Sequence, residues 1–230
     1  AAGISLRQTN DSKTLLGVEI MKSFNFFNSF ADDEMLVEIF ATKGWDYRNN
    51  KLIIKKSIYD SENENWIRNV SFPRTKKPSI QEAHDEFVEN MFRVFVDKET
   101  NFVHVSVSHY SPYVAQKWVK KIVAEINSQY RDQEISKSNK TVEYLRKEYE
   151  QTNMTYLQDI LSSLIENEYS KASIASASPN FLFTIIEPPI AEEFKSSPDR
   201  FAITLISTLI ALMFSVLIAI IMFFNSRHEN

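Results

Sequence analysis

The chain has 230 residues, is 43% hydrophobic and 24% charged, and carries a net charge of −4. That is enough for one medium-sized folded domain with an accessory segment, and it excludes the clustered basic face that a nucleic-acid partner requires. The absence of cysteine removes disulfides, thiol chemistry and cysteine-based metal sites, and three glycines are too few for phosphate-cradling loops.

The sequence opens on Ala1 without a basic-then-apolar leader and is read as a fragment or processed chain. Residues 12–30 carry Leu15, Leu16, Val18, Ile20, Met21, Phe24, Phe27 and Phe30 at broadly helical spacing. A second short helix is predicted over 33–40. Residues 44–78 are aperiodic and polar, dotted with aromatics, with a short strand predicted at 52–58. Pro78, then Ser79 with Glu82 three residues on, is a capping-box start for a helix to about Met91. Residues 92–96 and 102–108, joined by 97–101, read as an antiparallel hairpin. Its second strand places Val103, Val105 and Val107 on one face, and Phe102, His104 and Ser106 on the other.

Ser111-Pro112 opens a very long helical region, with Ser as cap and Pro at the first helical position. Its first part carries a broad apolar stripe of Ala115, Trp118, Val119, Ile122, Val123, Ile126 and Tyr130, wide enough to lie on a sheet. Beyond Tyr130 the apolar residues thin to Ile135, Val142, Leu145 and Tyr149, a narrow seam suited to one neighbouring helix. Thr152-Asn153, then Thr155 with Gln158, reads as an end and a fresh capped start. A continuous helix of about 65 residues would run roughly 95 Å one way. A turn near Asn153 instead lets residues 156–175 run back on Leu157, Ile160, Leu161, Leu164 and Ile165.

Residues 181–186 form an apolar strand returning to the same sheet. Pro188, Pro189 and Pro198 then stop both strand and helix and make a stiff connector. From Phe201 to Phe224 no charge occurs, a reach of roughly 36 Å on a helix against a hydrocarbon core of about 30 Å. This predicts a transmembrane helix. Lys195 and Arg200 before it and Arg227 after it leave its orientation open. Within it Ser207, Ala211, Ser215 and Ala219 recur every fourth residue, a groove of small side chains against which a second helix packs.

Nothing assembles into a catalytic set, so no enzyme, metal or cofactor is expected. His84, His104, His109 and His228 lack metal-ligand spacing. Glu62 with Glu64, and Glu192 with Glu193, read as solvated loop charges more readily than as paired carboxylates for sugar chemistry. Trp45, Tyr47, Tyr59 and Trp66 read as a cover for the base domain before a sugar-stacking platform.

The fold expected is α+β. A base domain of helices and strands spans 1–110, and an extended antiparallel helical hairpin 111–176. A returning strand covers 177–187, a proline-containing linker 188–200, the transmembrane helix 201–224 and a tail 225–230.

This order of features resembles the Wzz-type polysaccharide chain-length determinants, or polysaccharide co-polymerases. The matching pieces are Trp66-Ile67-Arg68 ahead of Lys77-Pro78-Ser79-Ile80-Gln81-Glu82-Ala83, the strand at 103–107 running into Ser111-Pro112, and Tyr144-Leu145 in the long helix. Residues 181–188 followed by Ser197-Pro198-Asp199-Arg200 and a terminal apolar stretch complete the match. The resemblance implies a small membrane-proximal mixed or antiparallel sheet base in the bacterial periplasm, held by one membrane helix at each end, the first preceding Ala1. It implies a ring-like homo-oligomer that sets the length of O-antigen or a related glycan beside a separate polymerase, with the C-terminus in the cytoplasm. The family's proline-rich membrane-linker motif maps to Pro188, Pro189, Pro198 and Arg200. The chain departs from the pattern where Glu192 and Lys195 replace expected prolines and Ala211 and Ser215 replace expected glycines. Read from the residues alone, a tail-anchored tethering protein using 112–175 as a coiled-coil module is the alternative. An exopolysaccharide co-polymerase with a fused kinase finds no phosphate-binding loop here.

Overall fold

The computed structural model describes residues 2–7, 11–193 and 200–228, with side chains at 13–193 and 203–218. It divides into two units, 1–192 and 193–230. The first is built on a four-stranded antiparallel sheet from β1 (Ala2–Arg7), β6 (Phe92–Val96), β7 (Val103–Val107) and β8 (Thr184–Glu187), in the order β6-β7-β1-β8. The other strands, β2 (Thr42–Asp46) with β3 (Lys51–Ile54) and β4 (Tyr59–Asp60) with β5 (Asn65–Trp66), make two separate hairpins.

Alternation on the β6–β7 hairpin sets the core. Phe92 and Val94 pair with Val107 and Val105, and all four are buried, as is Val103 opposite Val96. The opposite face pairs Phe95 with His104, whose rings stack at 5.1 Å. Onto the buried face pack α1 (Asp11–Lys22) and the first half of α5 (Pro112–Gln151), and α2 (Phe24–Phe30), α3 (Asp33–Phe40) and α4 (Ile80–Glu86) extend the same core. Ala115, Trp118, Val119, Ile122, Val123, Ile126 and Tyr130 are all buried. At about 25 cal/mol per Å² of apolar surface, side chains of this size supply most of what holds α5 to the base.

Local chemistry places several ends. Ser111 Oγ accepts from the Val114 N–H with Pro112 in the first turn. Ser79 Oγ accepts from the Glu82 N–H (3.1 Å), and the Glu82 carboxylate, held by Arg68, also accepts from the Ser79 N–H, so both halves of the capping box are made. The helix predicted to Met91 ends at Glu86 and continues as a π-turn, Phe87–Met91.

The helix predicted over 12–30 is two helices, because Ser23 turns extended and caps α2 through the Phe26 N–H. Leu15 and Leu16, expected on the inner stripe, are exposed; Thr14, Gly17, Val18 and Met21 face inward instead. Gly17 is needed there, since a Cβ would stand 2.8 Å from Leu182 Cδ2 and 2.9 Å from Phe183 Cζ. The strand predicted at 52–58 ends at Ile54. The returning strand begins at Thr184, with Leu182 and Phe183 buried ahead of it.

Beyond Tyr130, α5 leaves the sheet and ends at Gln151; α6 (Thr155–Ala177) returns along it. The stretch 131–151 reaches about 31 Å and α6 about 34 Å, so the two limbs match.

The second unit holds one helix, α7 (Arg200–His228). Among the described residues no helix is long and apolar enough to cross a membrane. This corrects the transmembrane helix expected over 201–224.

Candidate functional site

The arm formed by α5 and α6 is the feature that a catalytic reading of the chain would leave unexplained. Its seam has a heptad rhythm. From α5 come Ile135, Ser138, Val142 and Leu145; from α6 come Leu161, Ile165, Glu168, Ala172 and Ala175. Spacings of three and four keep one narrow stripe facing one partner. Small residues at Ser138, Ala172 and Ala175 let the limbs approach, and Ser138 hydrogen-bonds Glu168, which also pairs with Lys171 at 2.5 Å. Arg146 crosses the seam to the Tyr169 hydroxyl (2.7 Å). At the tip, Gln158 Nε2 donates to the Thr152 carbonyl (3.0 Å). The expected cap at Thr155 is not used, for Met154 holds the N-cap position without a side-chain bond.

A second stripe lies outside this seam. Leu157, Ile160 and Leu164, expected to pack back on α5, remain 41%, 39% and 44% exposed, with Met154 and Tyr156 more so. The seam takes the neighbouring positions Leu161 and Ile165, and a two-helix contact is too narrow to cover both rows. The arm therefore carries apolar surface that its own fold does not bury.

The root of the arm is tied to the base by polar groups centred on the buried Glu38, which the sequence reading missed. Glu38 in α3 accepts from Trp118 Nε1 (2.7 Å) and Lys117 Nζ (3.0 Å), while Lys117 also reaches Glu34 (3.1 Å) and Lys121 reaches Asp32 (2.6 Å). Burial pushes the Glu38 carboxyl above its ordinary value, opposed by its hydrogen bonds to Lys117 and Trp118. Next to it His109 Nε2 lies 3.1 Å from the Glu38 carbonyl, and Nδ1 accepts from the Ser111 N–H (3.1 Å). Burial holds this imidazole below its ordinary pKa. The signal for Glu38 was one acid inside Leu36-Val37-Glu38-Ile39-Phe40.

The returning limb is fixed by Asn127. Its Oδ1 accepts from the Leu182 and Phe183 N–H groups (2.9 Å each), and its Nδ2 donates to the Val123 and Phe183 carbonyls (3.1 Å each). Its signal was a buried-stripe position filled by an amide. Arg68 and Glu82, in two segments noted separately in the sequence, meet as a bidentate pair at 2.5 and 2.7 Å.

The expected linker residues separate. Pro188 is exposed; Pro189 is buried and its carbonyl accepts from Gln116 Nε2 (2.7 Å), so this proline is anchored to the first turns of α5. Pro198 and the side chain of Arg200 lie outside the described residues. Of the expected small-residue face, Ser207, Ala211 and Ser215 are exposed, and Ala219's side chain lies outside the described residues. The Ser207 and Ser215 hydroxyls donate to their own helix, at Ile203 (2.5 Å) and Leu212 (2.8 Å) carbonyls.

Among the described residues no group of three or more histidines and acids is placed to hold a metal. Tyr59 and Trp66 pack edge to face at 5.0 Å with Trp66 buried, and Trp45 donates to Asn50 (2.9 Å). No protein-family model matches this chain, and no curated protein matches it at a significant level.

Proposed function

We propose that this chain is a non-catalytic scaffold that regulates the length of a bacterial surface polysaccharide, O-antigen or a related glycan, made by a separate polymerase. Copies associate side by side in a ring-like homo-oligomer, with the arm as the lateral contact. One observation carries this reading: the α5–α6 arm keeps Leu157, Ile160 and Leu164 outside its own seam. Repeated around a ring, weak lateral contacts of this kind add up to a stable assembly. The pinned root (Glu38, Lys117, Trp118) and pinned return (Asn127) support it, because an arm used for register must leave the base at one angle. The sequence resemblance supplies the glycan.

The location proposed is the bacterial inner membrane, with the bulk of the chain in the periplasm. The outward apolar side chains of α7, from Ile203 to Ile218, support contact with lipid without requiring that helix to cross it. Leu157→Glu, Ile160→Glu and Leu164→Glu together place three charges on the outward row and spare the seam. Expected is a folded protein that no longer forms large assemblies, with glycan of altered modal length in cells. A folded triple variant with unchanged assembly and unchanged glycan length would overturn the proposal.

A further inference from the structure

Between β5 and α4 the chain passes through residues 71–77, all exposed. Phe72, at 96%, is the most exposed large apolar side chain among the described residues. The loop that carries it is nonetheless held firmly. The Arg74 N–H donates to the Ser71 carbonyl (3.0 Å) and the Thr75 hydroxyl to the Lys77 carbonyl (2.7 Å). From beneath, the buried Arg68 donates to the carbonyls of Lys76 (2.7 Å) and Thr75 (2.8 Å) while gripping Glu82 and lying over the Phe40 ring. Desolvating a guanidinium is costly unless every donor is used. Here that cost fixes a surface loop in which Phe72 is the only large apolar side chain.

The surrounding charge points to the occupant. Arg68, Arg74, Lys76 and Lys77 stand against Glu82 and Asp33, the latter paired with Lys77 at 2.8 Å. Four cations less two carboxylates leave two positive charges locally, on a chain whose total is −4. We infer that residues 71–77 are a docking element for an anionic lipid surface, with Phe72 entering the interfacial layer and Arg74 and Lys76 meeting headgroup phosphates. A protein partner selects a cluster of apolar anchors ringed against water. A lone aromatic flanked by cations suits the bilayer interface, where each side chain partitions independently. Preforming the loop lowers the ordering entropy lost on contact. The inference is independent of the glycan reading, since lipid contact at Phe72 neither requires nor excludes a role in chain length.

The absence of cysteine permits a clean test on the full chain. Phe72→Cys carries a nitroxide, and Glu62→Cys, in the β4–β5 turn, carries the reference label. Each protein is added to vesicles of phosphatidylcholine alone or mixed with phosphatidylglycerol, and accessibility to oxygen and to a water-soluble nickel chelate is read by paramagnetic resonance. Expected on the anionic vesicles is a label at 72 that gains oxygen and loses nickel contact, while the label at 62 stays in water. Arg74→Gln and Lys76→Gln should each lower the immersed-to-free ratio about fivefold. A label at 72 that remains water-accessible on both vesicles overturns the inference. So does shielding already present without lipid, which would assign the loop to a second copy of the chain.

Discussion

Replacing Asn127 by Leu tests how the arm is closed onto its base. The two side chains are of similar size, so the change removes bonds more than volume. In the wild type, Asn127 satisfies the Leu182 and Phe183 N–H groups and the Phe183 carbonyl, all beside residues that are fully buried. Each orphaned buried polar group costs about 1–3 kcal/mol. Two amides and one carbonyl, partly offset by the added apolar contact of Leu, give an expected loss of about 3–6 kcal/mol. Against a typical total stability of roughly 5–15 kcal/mol this is a large fraction. Urea unfolding followed by tryptophan fluorescence measures it, with Trp118 in the adjoining core as reporter. Amide exchange at Leu182 and Phe183 should rise with the loss. A cost below about 1 kcal/mol, with both amides still protected, would refute the assignment of Asn127 as the clasp.

Three further outcomes follow from the base. Gly17→Ala should destabilise by about 1–2 kcal/mol despite Ala's better helix propensity, because its Cβ meets Leu182 and Phe183, which Asn127 holds in place; a gain in urea midpoint would contradict this. His109 is kept below its ordinary value of 6.5 by burial, so the unfolded chain takes up that proton first. Its contribution is present above pH 6.5 and lost as pH falls through the lowered folded value; His109→Gln should flatten this limb when urea midpoints at about pH 7 and about pH 5 are compared. Glu64 sits at φ 50° in the β4–β5 turn, where a side chain is unfavourable, so Glu64→Gly should raise stability by about 0.5–1 kcal/mol in thermal melts.

Strong local chemistry could be read along the chain. Ser111-Pro112 and Ser79 mark helix starts because a hydroxyl at the cap satisfies an N–H wherever the helix later packs. The stripe from Ala115 to Tyr130 marks a buried face because its spacing is set by the helix alone. What depended on distant partners was hidden. β1 is an inner strand of the sheet, yet it pairs with β7 and β8 far along the chain. Nothing in Ala2–Arg7 announces those neighbours. The division of α6 into a seam row and an outward row was likewise invisible. Ile160 and Leu161 are both large and aliphatic, and only the placement of α5 decides which of them it covers.

The β2–β3 and β4–β5 hairpins, unlike the β6–β7 hairpin, were not read from the sequence, yet all three turns carry the same local signal. Asp46, Asp60 and Asp97 each accept from the backbone N–H groups two and three residues on. Each turn then closes through a left-handed residue, Asn50, Glu64 or Asn101. An aspartate that caps its own turn, followed by a residue at positive φ, is a hairpin signature. The apolar run at the C-terminus misled in the other direction. Its composition suggested a bilayer crossing, but among the described residues no helix meets that length and apolarity.

The central claim, that the outward row of the arm is a contact between copies, is tested most directly by Ile160→Cys in the otherwise cysteine-free chain, oxidised in native membranes. Expected is a disulfide-linked dimer that forms at low expression and disappears when Leu157→Glu and Leu164→Glu are added. Ile160→Cys that stays monomeric and freely alkylated in intact membranes would contradict the account.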